Sequence, residues 1–242
     1  MKKILIFLLP IIIFAAAPQI PTVNLSLTAP ETPKQLVTVL NFTILLTLLV
    51  LAPSIVLVMT SFVRLLVVFG FLRQALGTPQ SPPTTLLVSL SLVLTFFIME
   101  PYAKKAYNEG IKPYMEKKIG YEEAINRAIK PFKEFMIKNT REKDLALFYR
   151  IRKLPNPKSV DDVPLSILVP AFMISELKTA FEIGFLIFLP FLIIDMVVSS
   201  ILMSLGMMML PPVMISLPFK ILVFVLVDGW NLIVTGLVQS FR

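Results

Sequence analysis

The sequence contains neither cysteine nor histidine. Their absence excludes disulfides, thiolate chemistry, zinc sites built from cysteine and histidine, and Ser-His-Asp triads. Glycine is scarce, with 8 residues in 242, and none of them is followed by lysine, so the chain has no P-loop for nucleotide phosphates. We therefore predict that the protein is not an enzyme and holds no metal or cofactor.

What the chain has in quantity is apolar side chains. Hydrophobic residues make up 56% of the sequence and the mean hydropathy is +0.83, which is typical of membrane proteins. The formal net charge of +8 favours contact with anionic membrane lipid. Nucleic-acid binding is not expected, because no pattern of stacking aromatic residues accompanies the basic ones. The composition predicts an all-α membrane protein made of long, kinked helical hairpins and a small charged helical module.

The first 35 residues have the pattern of an exported N-terminus. Residues 1–17 resemble a secretory signal peptide, with Lys2 and Lys3 before an apolar stretch and three alanines at its end. Pro18 is a poor residue after a cleavage site, so an uncleaved anchor remains the alternative. Residues 18–35 carry four prolines and are predicted to form an extended arm.

Residues 36–99 are predicted to form a first apolar hairpin. As one helix, residues 36–72 would reach about 55 Å, whereas a bilayer core is about 30 Å thick. This segment must therefore break, near Pro53, or extend beyond the lipid. A polar turn at residues 73–83 precedes the returning apolar helix.

Residues 100–164 hold 25 of the chain's 38 charged residues and are predicted to be a charged helical module outside the cytoplasm. A cleaved signal peptide would place this segment there, and long loops follow the positive-inside rule weakly. The module is either a solvated connector or a docking surface. Apolar residues at helical spacing predict an amphipathic helix that Pro131 kinks or ends: Tyr121, Ala124, Ile125, Ala128, Ile129, Phe132 and Phe135.

Residues 165–242 are predicted to form a second apolar hairpin, with breaks at Pro170 and Pro190. Its turn contains one glycine and two prolines, residue types that suit no helix interior. These are Gly206, Pro211 and Pro212. Three methionines, Met207, Met208 and Met209, occupy the tip. Because methionine is unbranched and can repack, they form either a compliant apolar plug or ordinary filler.

The second hairpin also carries ionisable groups, which are costly among apolar helices unless they face protein, water or an opposite charge. They are Glu176, Lys178, Glu182, Asp195, Lys220 and Asp228. Helical spacing predicts a Lys178–Glu182 pair, and folding the hairpin predicts an Asp195–Lys220 pair. Glu176 then needs another partner. The charges serve either assembly, within or between subunits, or an ion relay, and we favour the structural role.

Several separate motifs resemble those of the FliP family of flagellar export-gate proteins, over roughly residues 36–242. The motifs are FLRQALGTPQ at 71–80, MEP at 99–101, YN at 107–108, FMISELKTAF at 172–181, GMMMLPP at 206–212 and VDGW at 227–230. The arm at 18–35 and much of 112–164 carry nothing distinctive. The GTPQ and DGW motifs point to a flagellar protein more than to its relatives in virulence type III secretion.

The resemblance implies a pore-forming subunit of the flagellar export gate in the bacterial inner membrane, within the basal body. It implies a homo-oligomer, thought to be a pentamer, assembled with FliQ and FliR and served by FlhA and FlhB. Unfolded flagellar subunits would pass through it, and Met207, Met208 and Met209 would form a gasket that closes the resting pore. The alternatives are a virulence secretion gate and, further off, an ion-coupled transporter; no internal inverted repeat of the transporter kind is evident.

Overall fold

The computed structural model describes residues 33–155, 157, 159, 162–207 and 210–241. The predicted signal peptide and nearly all of the predicted arm lie outside these residues. Within them the chain is helical and no strand occurs. Three helical stretches are long and apolar enough to cross a membrane, and a fourth span is possible if one bent helix pair counts as a span. The prediction of an all-α membrane protein is thus confirmed.

Ten helical elements follow one another in the described part of the chain, and one of them is a π-helix. They are α1 Pro33–Val58, α2 Phe62–Ala75, α3 Thr84–Ala106, a π-helix Tyr107–Ile111, α4 Lys112–Met115, α5 Tyr121–Lys138, α6 Glu142–Ile151, α7 Leu165–Ser204, α8 Pro212–Leu226 and α9 Gly229–Gln239. The chain divides into two compact units after Leu48. The described part of the first unit is the start of α1, where most side chains are exposed and Thr43 and Thr47 donate their hydroxyls to backbone carbonyls four residues earlier.

Three predicted proline breaks are wrong. Pro53 lies inside α1, and Pro170 and Pro190 lie inside the single 40-residue helix α7. The chain breaks instead at residues 59–61, where the Thr60 hydroxyl donates to the Leu57 carbonyl and competes with the helical pattern. A helix continues through proline where no water can satisfy a freed backbone group, as in apolar surroundings.

In the second unit, α2 packs along α7 and forms the centre of the core. Leu65, Phe69 and Leu72 of α2 are almost completely buried, as is Phe172 of α7. The approach is close at Gly184, where an added Cβ would lie 2.5 Å from the Phe71 ring. Burial of such side chains, each worth about 1.5–3 kcal/mol, makes α2–α7 the frame on which the other elements are placed.

An aromatic cluster around Phe135 helps to pack the charged module on this frame. Phe135 of α5 is fully buried, with ring centroids of Tyr102, Phe172 and Phe241 at 5.0, 5.9 and 5.9 Å. The predicted amphipathic helix is therefore present as α5, but Pro131 lies inside it and does not end it. Helix α3 also continues past the predicted boundary at residue 99, as far as Ala106.

At about 1.5 Å per residue, α7 is roughly 60 Å long, twice the thickness of a bilayer core. Its first half is covered by α2, α5 and α6, and much of its second half has exposed apolar side chains. Exposed large apolar residues in that half include Phe185, Ile193, Met196 and Met203. The second half therefore faces lipid or a partner protein, whereas the first half belongs to the core of the chain itself.

Candidate gating and assembly site

The tip between α7 and α8 begins with a glycine that ends α7. Gly206 has a φ of +72°, and the amides of Gly206 and Met207 donate to the Met203 and Leu202 carbonyls at 3.0 and 2.9 Å. This is a Schellman motif, which favours glycine because a side chain is strained at positive φ. The tip is thus closed off by backbone bonds and does not extend α7.

The other end of the tip is fixed by the two prolines. Pro211 precedes α8 and Pro212 is its first residue, where the missing amide proton costs nothing. Met207 is 43% exposed and Leu210 is 40% exposed, so apolar side chains at the tip face outward. Met208 and Met209 lie outside the described residues. The geometry therefore presents an apolar tip, and a gasket role for that tip is a hypothesis about its function.

A buried ion pair joins α2 to α7. Glu176 is fully buried, and Arg64 donates from Nε to its Oε2 at 2.8 Å and from Nη2 to its Oε1. Nη1 of Arg64 also donates to the backbone and hydroxyl oxygens of Ser240 at 3.0 and 2.9 Å. The guanidinium carbon lies 3.8 Å from the centre of the Phe241 ring. One arginine therefore holds together α2, α7 and the chain just beyond α9.

A second charge network joins α6 to the other face of α7. Lys178 forms an ion pair with Asp144, whose second oxygen accepts the Ser175 hydroxyl at 2.8 Å. Glu182 accepts a hydrogen bond from Arg141 at 2.6 Å. Because α6 is part of the charged module, this network fixes the module to α7.

The predicted Lys178–Glu182 pair is therefore wrong. The two residues are four apart on one helix face, but Lys178 pairs with Asp144 of α6 and Glu182 pairs with Arg141, which directly precedes α6. Packing of α6 on α7 brings the buried carboxylate of Asp144 to Lys178. A buried carboxylate depends on a cationic partner more than an exposed carboxylate such as that of Glu182 does. The side chain of Asp144 is 3% exposed, against 61% for that of Glu182.

Asp144 remains a carboxylate in this buried position. Burial alone would raise its pKa, but the hydrogen bonds from Lys178 and Ser175 and the charges of Lys178 and Arg141 outweigh burial and lower the pKa below its usual value of 3.8. Asp144 is therefore ionised at neutral pH.

A third node joins α8 to α7 and to the end of α2. Lys220 is 2% exposed, and its Nζ donates to Asp195 Oδ2 at 2.6 Å and to the Ala75 carbonyl at 3.2 Å. The Ser216 hydroxyl donates to the other Asp195 oxygen at 2.5 Å. The Asp195–Lys220 pair predicted from the hairpin is thus present, with a contact to α2 that the sequence did not indicate.

Asp228 differs from the other predicted charges. It is exposed, has a φ of +51° and precedes α9, which turns by 64° from α8. Among residues 33–155, 162–207 and 210–241 it belongs to no ion pair. It therefore marks a helix bend, and a role in assembly remains a proposal.

Sequence reasoning missed the residues that satisfy these charges from other helices. They are Arg64, Arg141, Asp144, Ser175, Ser216 and Ser240. The sequence could have indicated a role for Arg64, because it is the one charged residue in the apolar run 36–72 and a buried charge needs an acidic partner. Arg141 and Asp144 carried no such signal, because they lie among many surface charges. In the described part of the chain, no cluster of acidic residues could hold a metal ion.

We expect exchange of charges to distinguish the observed partners from the predicted ones. Lys178→Asp alone should lower the yield and melting temperature of the purified complex, because it faces Asp144 with a like charge. Adding Asp144→Lys should restore part of both, as measured by size-exclusion yield and thermal unfolding in detergent. The matched control adds Glu182→Lys to Lys178→Asp, and a rescue by that control instead would contradict the observed pairing.

The sequence was also compared with known proteins. It matches the FliP family over residues 45–237. It is 56% identical to the flagellar biosynthetic protein FliP of Bacillus subtilis over 209 residues, which cover 86% of this chain and 95% of that protein. The flagellar biosynthetic proteins FliP of Caulobacter vibrioides and Pectobacterium carotovorum are 55% and 53% identical over 198 residues each. These matches cover 82% of this chain and 74% and 77% of the two relatives.

Proposed function

Since this chain belongs to the FliP family, we propose that it is the pore-forming core subunit of the flagellar type III export gate. The family resemblance of its motifs is confirmed. As a flagellar export-apparatus subunit embedded in a membrane, it would pass unfolded flagellar proteins across the inner membrane at the basal body. This role is translocation and requires no catalytic group.

The observation that supports a gate most directly is the apolar tip on a two-helix hairpin. Met207 and Leu210 are exposed there, on a tip whose backbone is closed by its own hydrogen bonds. An apolar constriction blocks ions by excluding water and needs no fixed charge. Flexible methionine side chains can also yield to a passing chain. We assign the gasket to Met207, Met208 and Met209, with Gly206, Pro211 and Pro212 forming the turn that carries them.

The exposed apolar surface supports an assembly of several copies. Half of α7 and most of α8 present large apolar side chains, and α7 is twice as long as a bilayer is thick. The first half of α7 is covered within this chain, so the exposed second half and α8 are left for lipid and neighbouring copies to cover. We propose a pentameric homo-oligomer, with FliQ and FliR as companions and FlhA and FlhB as further partners.

A transporter is less well supported. Glu176, Asp144, Glu182 and Asp195 each face a cation of the same chain at hydrogen-bonding distance. Proton or ion relays need carboxylates that are free to change partner. The flagellar names of the relatives also do not favour the virulence secretion gate. Pairing of the charges within the chain favours a structural role.

The test is the mass of the complex extracted in detergent after co-expression with its FliQ and FliR counterparts. We expect native mass spectrometry to give a particle with several copies of this chain and both partners. Deletion of the gene should abolish flagella, and the wild-type gene should restore them. A monomer in the presence of both partners, or normal flagella without the gene, would contradict the proposal.

A further inference from the structure

The methionine tip lies at the end of a hairpin whose arms are only loosely joined near the tip. Between the arms is an open apolar groove of about 450 Å³, lined by Val197 and Ile201 of α7 and Ile215 and Phe219 of α8, among others. Close-packed interiors leave few such spaces. Apolar packing between the arms is therefore incomplete near the tip.

The turn between α2 and α3, residues 76–83, lies against α8 close to the tip. A Cβ at Gly77 would be 3.7 Å from Val213, 3.7 Å from Leu217 and 3.9 Å from Lys220 Nζ. These three positions follow helical spacing and form one face of α8. Val213 is the second residue of α8, so this support reaches the base of the tip.

Lys220 is the polar link between this turn and the hairpin. At the end of α2, the amides of Gly77 and Thr78 satisfy the carbonyls of Gln74 and Arg73, and Lys220 donates to the carbonyl of Ala75. The last carbonyls of a helix lack intrahelical donors and carry partial negative charge. Two interactions therefore stabilise the buried ammonium of Lys220: the ion pair with the Asp195 carboxylate on α7 and the contact with the negative end of the α2 dipole.

We propose that Lys220 is a positioning residue that sets the place of the α7–α8 hairpin, and with it of the tip residues Met207 and Leu210, by fixing the hairpin to the end of α2. This proposal rests on the gate function above and adds how the gate is held shut. The core helices α2 and α7 serve as the rigid base, and the contacts of Lys220 with Ala75 and Asp195 fix α8 to that base. The ion pair with Asp195 joins the two arms, and the bond to Ala75 places both of them.

The main experiment is hydrogen exchange by mass spectrometry on the complete complex. Lys220→Met keeps the length of the side chain and removes both polar contacts. We expect exchange of hairpin amides between residues 196 and 226 to become about tenfold faster or more, the equivalent of one lost charged hydrogen bond. The matched control is Lys118→Met, which removes an exposed ion pair with Glu116 and should leave hairpin exchange unchanged.

The swapped variant Asp195→Lys with Lys220→Asp separates the two contacts. It restores an ion pair between the arms but places a carboxylate beside the Ala75 carbonyl, so it should not restore slow exchange. Full recovery in the swap would show that the ion pair alone matters and would overturn the proposal. Wild-type exchange in Lys220→Met would overturn it as well.

If Lys220→Met cannot be recovered in the complex, the double variant Asp195→Asn with Lys220→Met takes its place, because it leaves no unpaired carboxylate. It should show the same faster exchange, and wild-type exchange would again overturn the proposal. Small-solute leakage is measured in parallel. Faster exchange with leakage supports both the positioning role and the gate, whereas faster exchange without leakage supports positioning and contradicts the gate function of the tip.

Discussion

Glu176→Ala should prevent recovery of the assembled complex. The substitution leaves the Arg64 guanidinium, whose side chain is 3% exposed, without its carboxylate. Breaking a buried ion pair in this way costs about 3–5 kcal/mol, a large part of the 5–15 kcal/mol that typically separates folded from unfolded domains. We expect the yield from detergent extracts to fall severely and the remaining protein to melt at lower temperature.

The control is Glu123→Ala, which removes an exposed pair with Arg127 on α5. Such surface pairs contribute about 0–1 kcal/mol, so yield and melting temperature should stay near those of the wild type. A double variant, Arg64→Met with Glu176→Leu, should recover part of the loss because apolar side chains need no partner. Unchanged stability in Glu176→Ala would show that the buried pair does not hold α2, α7 and the end of α9 together.

Replacing Met207, Met208 and Met209 with alanine should leave the complex intact and make membranes leaky. The tip is closed by bonds from Gly206 and Met207 to α7, and these bonds involve backbone atoms, so they survive the substitutions. If the three thioether side chains form the proposed gasket, alanine is too short to replace them, and an open apolar gap of sufficient width admits water and ions. Export itself should persist, since a wider gate still passes a chain.

The measurement is ion conductance or small-solute uptake in cells that carry the complex at matched expression. Replacing Met203, Met214 and Met115, three exposed methionines outside the tip, is the matched control and should not cause leakage. If the tip variant shows wild-type conductance and solute uptake, the three methionines do not seal the pore and serve only in ordinary packing. If the tip variant fails to form the complex, the three methionines are needed for assembly, which contradicts the prediction that they serve only to seal the pore.

The position of the tip could be predicted from the sequence because its signals are local. Gly206 supplies the positive φ that ends α7, and Pro211 and Pro212 suit the start of α8 and no helix interior. The Asp195–Lys220 pair also followed from the sequence, since an antiparallel hairpin about a known turn fixes which residues face each other. The amphipathic spacing of α5 likewise depends on neighbours within 4 residues.

Only the tertiary structure decided which residues are the partners of Glu176, Lys178 and Glu182. Glu176 and Arg64 are 112 residues apart, and Asp144 and Lys178 are 34 apart, so their meeting depends on how α2 and α6 pack on α7. The same packing overrides the Lys178–Glu182 spacing, because the buried carboxylate of Asp144 depends more on a cation than an exposed one does. Pro53, Pro170 and Pro190 lie inside helices, since in apolar surroundings an intact helix satisfies more backbone groups than a break would. The sequence determined the turn and the Asp195–Lys220 pair through local signals, and long-range packing determined the Arg64–Glu176 and Lys178–Asp144 pairs.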